Sequence, residues 1–459
     1  MHHPLPEDID ALADIGSWAI DRLTCRSDTL PPREPTTPLP EFTADGIGTA
    51  GAWSLLRDVI LPSALPTDHC RYLAFVGGAP TVASVLADMA ISAAAVYAGS
   101  ALEGGAVVDA ERAALRWLAD VIGLPVSAHG TFVSGGSLAN LSALVAARHL
   151  RTGPPGSRAP SIIIAGATAH ASVHSAAMIM GCQLVVAGSP DRPLTADDVR
   201  RALDPLDRDQ VVAVVACAGA TNTGAIDRLD EIAQLCATSG VWLHVDAAYG
   251  GAAMLSASAR DKFRGIESAD SVTIDPHKWL FTPFDCAAVL YRDPERARSA
   301  HRQTAHYLDP ANVENADNPA DYAVHLTRRA RGIPLWASLV ANGTAAYCDA
   351  VERCLEIATY AAKQIEECAV LELVTEVELS VVLFRRVGWA PEDYSNWSSH
   401  AVRTGLGLIT PTKFKDETVL RMCFVNPLTQ ASDVDLIVAS VSQETIGGVP
   451  RLPNRVTAR

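Results

Sequence analysis

Between residues 80 and 330 the apolar positions gather in strand-length runs: SIIIAG at 161–166, VVAVVACAG at 211–219, VWLHVDAA at 241–248, SVTID at 271–275 and CAAVLY at 286–291. Stretches with helical spacing, such as 229–238, separate them. Strand alternating with helix predicts βαβ units and a mainly parallel sheet covered on both faces. After residue 334 the pattern changes to a long helical stretch at 335–368, the strand-like LELVTEVELSVVLFRR at 371–386, a helix, and TVLRMCFVN at 418–426. That order predicts a smaller α+β domain. Ahead of the alternating region, residues 29–42 (TLPPREPTTPLPEF) are too proline-rich for helix or central strand and read as an extended arm after an N-terminal helix. The expected organisation is an arm segment at 1–79, a large domain at 80–334, a small domain at 335–446 and a tail at 447–459.

Composition narrows the class. A chain of 459 residues exceeds the size at which one core stops growing, so two or three units are expected. With 49% hydrophobic and 19% charged residues it is an ordinary globular composition. A formal charge of −15 argues against nucleic acid or an anionic membrane surface as partner. Residues 159–190 carry no charge, but their Pro, Gly, Ser and two histidines break them into strand-length pieces, which suits buried interior better than a membrane span. Glu7, Asp8 and Asp10 are unlike a secretory signal. Ten cysteines without a CxxC pair fit neither a zinc ribbon nor a disulfide framework, so reduced thiols in the cytoplasm and no bound metal are expected.

The candidate chemistry sits at the strand ends. Lys278, in DPHKW, follows the 271–274 run, where open α/β sheets bind ligands. A lysine there can form an imine with a carbonyl cofactor if its surroundings lower its pKa; alone, it is as readily a surface cation. Asp246 ends the run at 241–246, and a buried acid needs a positive partner such as a protonated pyridine nitrogen; otherwise it is a helix cap or a structural salt bridge. Small Ala247 and Ala248 leave room for a flat ring. Ser134-Gly135-Gly136-Ser137 opens a helix and offers N–H groups and a hydroxyl to a single phosphate, or is simply a turn. His170 and Thr221 follow two further runs; each is a site residue or an ordinary core or turn residue.

In this order, SGGS, AHAS, AGATNTGAID, WLHVDAAY and DPHKWL resemble the pyridoxal-phosphate-dependent group II decarboxylases, the family of aromatic-amino-acid, histidine, glutamate and diaminobutyrate decarboxylases. The resemblance is collinear from about residue 41 to 441. It implies fold type I, the aspartate-aminotransferase-like α/β fold, as a homodimer with active sites shared between subunits and the N-terminal arm in the contact. It further implies pyridoxal 5'-phosphate (PLP) as a Schiff base on Lys278, Asp246 on the pyridine nitrogen and His170 stacked on the ring. Gly136, Ser137 and His277 would bind the phosphate, with Ala248 beside the cofactor and Thr221 near the substrate. The implied activity is decarboxylation of an L-amino acid to an amine and CO₂ through a quinonoid, the alternative being oxidative deamination to an aldehyde. A loop tyrosine of the partner subunit would donate the proton, with Tyr322 the match and Tyr307 the fallback. Phe75 and Tyr97 correspond to side-chain pocket positions. Arg385 and Arg386 read as strand-end residues or as contacts to a substrate carboxylate, with the structural role favoured.

Overall fold

The protein is described by a computed structural model covering residues 6–34, 38–42, 44–152, 161–312 and 316–443. The expected tail at 447–459 and residues 444–446 lie outside the described residues, as do 35–37 and 43 of the arm. Seven strands form the large sheet: β1 (His129–Val133), β2 (Ile162–Gly166), β3 (Gln183–Ala187), β4 (Val211–Cys217), β5 (Trp242–Asp246), β6 (Ser271–Ile274) and β7 (Ala287–Tyr291). Their spatial order is β1-β7-β6-β5-β4-β2-β3. Pairing is parallel from β3 through β6, and β7 runs antiparallel to both neighbours. The mainly parallel α/β fold is therefore present, and β1 points the same way as β2 to β6.

Alternation along the strands divides the sheet's side chains between two cores. Ile164, Val214, Val245, Val272 and Leu290 pack with Leu118 of the helix Ala106–Ile122 and Ile232 of the helix Leu229–Ser239. Val133, Ile163, Val215 and Val289 pack with Ala143 of the helix Gly136–Thr152, Val173 of the helix Ala171–Met180 and Ala297 of the helix Pro294–His301. The uncharged run between 161 and 190 is β2, a buried-faced helix and β3. No helix among the described residues is long and apolar enough to cross a membrane.

A second sheet, antiparallel in the order β10-β11-β9-β8, comprises β8 (Leu371–Leu373), β9 (Val381–Arg386), β10 (Thr410–Phe414) and β11 (Glu417–Cys423). The strand-like run at 371–386 thus folds back on itself, Leu371 pairing with Arg386. Its turn holds neither Gly nor Pro, so the pattern does not announce it. The long helix Ile333–Glu366 links the two sheets and breaks at Gly343, whose φ of 76° glycine adopts at least cost.

Candidate active site

Because β1, β2, β4, β5 and β6 are codirectional, their carboxyl ends open on one cleft of about 310 Å³. Its walls are Gly136 and Ser137 after β1, His170 after β2, Cys217 and Thr221 at the end of β4, Asp246 and Ala248 at β5, and Asp275, His277 and Lys278 after β6. Eight residues expected from the sequence are thereby brought together, in the crevice where open α/β sheets place ligands.

Trp242, His244 and Asp246 alternate along β5 and face the helix Gly136–Thr152. Asn140, one turn into that helix, donates from Nδ2 to Asp246 Oδ2 at 2.8 Å and to Ser172 Oγ at 3.0 Å. His244 Nε2 donates to Asn140 Oδ1 at 3.0 Å, and Ser271 Oγ donates to His244 Nδ1 at 2.8 Å while accepting from Trp242 Nε1. Burial pushes the His244 imidazole down to about 4, against the pull of Asp246, so it stays neutral in this chain of bonds. Asp246 Oδ1 accepts the Ala248 N–H at 3.1 Å. The carboxylate is held by two neutral donors and keeps lone pairs for a cation in the cleft, which suits a pyridinium nitrogen.

Ser172 extends the network to His170, which caps the helix Ala171–Met180. His170 Nδ1 accepts the Ser172 N–H and sits 2.9 Å from the Ser172 hydroxyl. The ring proton therefore belongs on Nε2, facing the cleft.

Lys278 is held by the one-turn helix Pro276–Trp279, with Nζ 2.9 Å from Asp275 Oδ2. These surroundings do not lower its pKa. Burial does press it down, but Asp275 and Asp246 outweigh that and the net shift is upward, so the cofactor-free lysine is an ammonium. His277 Nδ1 donates to the Cys286 carbonyl at 2.5 Å, which turns Nε2 towards Asp275, 3.8 Å away. Gly136, Ser137 and His277 form a cup at the start of a 17-residue helix that can take a phosphate.

Three expected residues lie elsewhere. Tyr322 is not on an open loop: it is 3% exposed, packs edge-on to His129 under β1, and donates its hydroxyl to Asp317. The buried turn Pro319–Tyr322 draws it into the core of its own chain. Phe75 is 61% exposed and Tyr97 donates to the Leu326 carbonyl at 3.3 Å; neither lines the cleft of its own chain. Tyr307, by contrast, is 74% exposed.

Arginine assignments divide similarly. Arg385 pairs with Glu372 and Glu417 on the outside of the small sheet, and Arg386 bonds the carbonyls of Val441 and Gln443. The arginine that reaches the site is Arg421 on β11, which the sequence reading passed over. It donates from Nε to the Thr221 carbonyl at 2.9 Å and from Nη1 to the Phe75 carbonyl at 2.8 Å. Asn140, His244 and Asp275 were also missed.

Lysine, buried acid, histidine and anion cup on one α/β edge define the class as a PLP enzyme of fold type I. The sequence matches the pyridoxal-dependent decarboxylase conserved domain over residues 56–387, and the chain belongs to that family. It is 31% identical over 392 residues to an aromatic-L-amino-acid decarboxylase of Bacillus atrophaeus, covering 82% of this chain and 81% of that one. It is 30% identical over 420 residues to an L-2,4-diaminobutyrate decarboxylase of Rhizobium meliloti (strain 1021), covering 88% and 83%. Among solved structures, Oryza sativa TDC with PLP and tryptamine shares the fold at a TM-score of 0.86 and 21% identity, covering 96% of this chain and 99% of that one. The protein is thus a PLP-dependent carboxy-lyase of the amino-acid decarboxylase family.

Proposed function

We propose that the chain is an L-amino-acid α-decarboxylase that holds PLP through Lys278 and releases CO₂ and an amine. One observation carries this reading: Lys278, the braced Asp246 and the cleft-facing Nε2 of His170 meet in one cavity. Bound PLP supplies an electron sink for the pair left when the carboxylate departs. Asp246 keeps the pyridine nitrogen protonated, and its two neutral donors stop it from turning away. His170 would hold the cofactor from the cleft wall and would offer Nε2–H to the substrate carboxylate. Among the described residues, the acids and lysines that line the cleft are Asp246, Asp275 and Lys278, all beside the cofactor, so this favours a substrate with an uncharged side chain.

The homodimer belongs to this reading. Ile9, Leu12 and Ile20 make an exposed apolar stripe on the helix Pro6–Thr24, and Val82, Leu86 and Met89 make another on the helix Val82–Ala93. Both suit burial against a second copy. Phe75 and Tyr97, outside their own cleft, would then line the partner's, and Tyr307 is our choice for the proton donor. The test is incubation with aromatic, acidic, basic and small polar L-amino acids, with CO₂, amine, aldehyde and hydrogen peroxide measured. Amine equal to CO₂ supports the reading.

A second reading is favoured by the burial of Tyr322. Without a donor tyrosine the same scaffold would convert the amino acid, O₂ and water to aldehyde, CO₂, ammonia and hydrogen peroxide. Peroxide equal to CO₂, with no amine, would decide for it.

A further inference from the structure

The phosphate cup already contains an anion. Asp275 Oδ2 accepts the Gly136 N–H at 3.3 Å, stands 2.9 Å from Lys278 Nζ and 3.8 Å from His277 Nε2. Gly136 is the first residue of its helix, and the leading N–H groups of a helix have no partner within it. The carboxylate occupies that positive end as a phosphate would. Position 136 admits it by lacking a side chain, because a Cβ there would lie 2.9 and 3.1 Å from the two carboxylate oxygens. Asp275 is 2% exposed, and its Oδ1 is buried without a hydrogen-bond partner among the described residues. An ionised oxygen so placed is costly and is poised for displacement.

We propose that Asp275 and the phosphate of PLP compete for the Gly136 N–H, and that the phosphate must displace the carboxylate to bind. The carboxylate caps the helix start and pairs with Lys278. When the phosphate arrives, two like charges meet at the same N–H group and repel. The carboxylate must turn away, and that change subtracts from cofactor affinity. Loading is therefore an exchange of anions, and Asp275 sets how tightly the chain holds PLP. This rests on Gly136, Ser137 and His277 being the phosphate site.

The experiment titrates the cofactor-free full chain with PLP and with pyridoxal, which has the same aldehyde and no phosphate, following protein fluorescence. Asp275→Asn is expected to tighten PLP binding on the order of tenfold or more, and pyridoxal binding much less. Inorganic phosphate is expected to raise the melting temperature of the cofactor-free variant more than that of the native chain. Unchanged or weaker PLP binding by the variant overturns the proposal while leaving the phosphate site intact. No preference for PLP over pyridoxal in either protein overturns both. Should Asp275→Asn not fold, Asp275→Ser is judged by the same criteria. A crystal structure of the PLP-loaded native chain is independent of both: Asp275 Oδ2 still within hydrogen-bond distance of Gly136 N would refute the exchange.

Discussion

The cofactor side of the cleft and its expected substrate side are built differently. Every group assigned to the cofactor hangs from a strand end or a helix start of one buried sheet, and Asp246 is braced three residues deep, through Asn140 and His244 to Ser271. Phe75 and Tyr97, assigned to the substrate side chain, and Tyr307, assigned to its proton, lie outside that cleft. Residues fixed by a sheet can be placed from one chain. Residues on connections take their meaning from what packs against them.

The largest effect that would break this contrast concerns Lys278. Lys278→Ala is expected to lower kcat by at least ~10³-fold and to abolish the visible absorbance of bound PLP, read by stopped assay and spectrophotometry. Retained colour with lost activity would instead make the lysine a catalyst without attachment. Asp246→Ala should lower kcat on the order of 10²–10³-fold with PLP still bound. His244→Gln, which keeps a side-chain amide near Asn140 but loses the ring, should cost about 10- to 100-fold in kcat and alter the PLP spectrum. A change in KM alone would show that the brace does not reach the cofactor.

The tyrosines give a smaller and sharper test. Tyr307→Phe is expected to shift product from amine to aldehyde, whereas Tyr322→Phe should leave the ratio unchanged and cost about 1 kcal/mol of stability in a denaturant melt. The opposite result would restore Tyr322 to the site.

Acid stability gives the mildest effect. Burial lowers His244, His301 and His325 from 6.5 to about 4. Their unfolded forms bind more protons between those values, so stability present above pH 6.5 is lost as pH falls towards 4. Asp227, raised by burial to about 6, opposes this over part of the range. Thermal melts from pH 7 to pH 5 should therefore show a falling Tm, less steep in His244→Gln.

What was legible in the sequence follows the same division. Lys278, Asp246, His170 and the glycines of 135–136 follow apolar runs, and it is their order along the chain that marks a site where none of them does alone. Asn140 and His244 gave a fainter signal. Two polar residues at alternate positions of WLHVD must share a face of a buried strand, and that face needs a donor opposite. Tyr322 misled because its segment looks like surface, while Ala320 and Tyr322 turn inward. Arg421 escaped notice because the paired Arg385 and Arg386 look more eventful. Only strand register shows which arginine faces the Thr221 turn.

Arg421 has one more consequence. A single guanidinium, on a strand rigid in the small sheet, fastens the Phe75 loop and the Thr221 turn, and Tyr249 at the cleft floor bonds Ser380 just ahead of β9. Segments that would otherwise fluctuate separately lose their independence when the chain folds. Their conformational entropy is spent then rather than at each encounter with substrate, so the rim of the cleft meets its ligand already ordered.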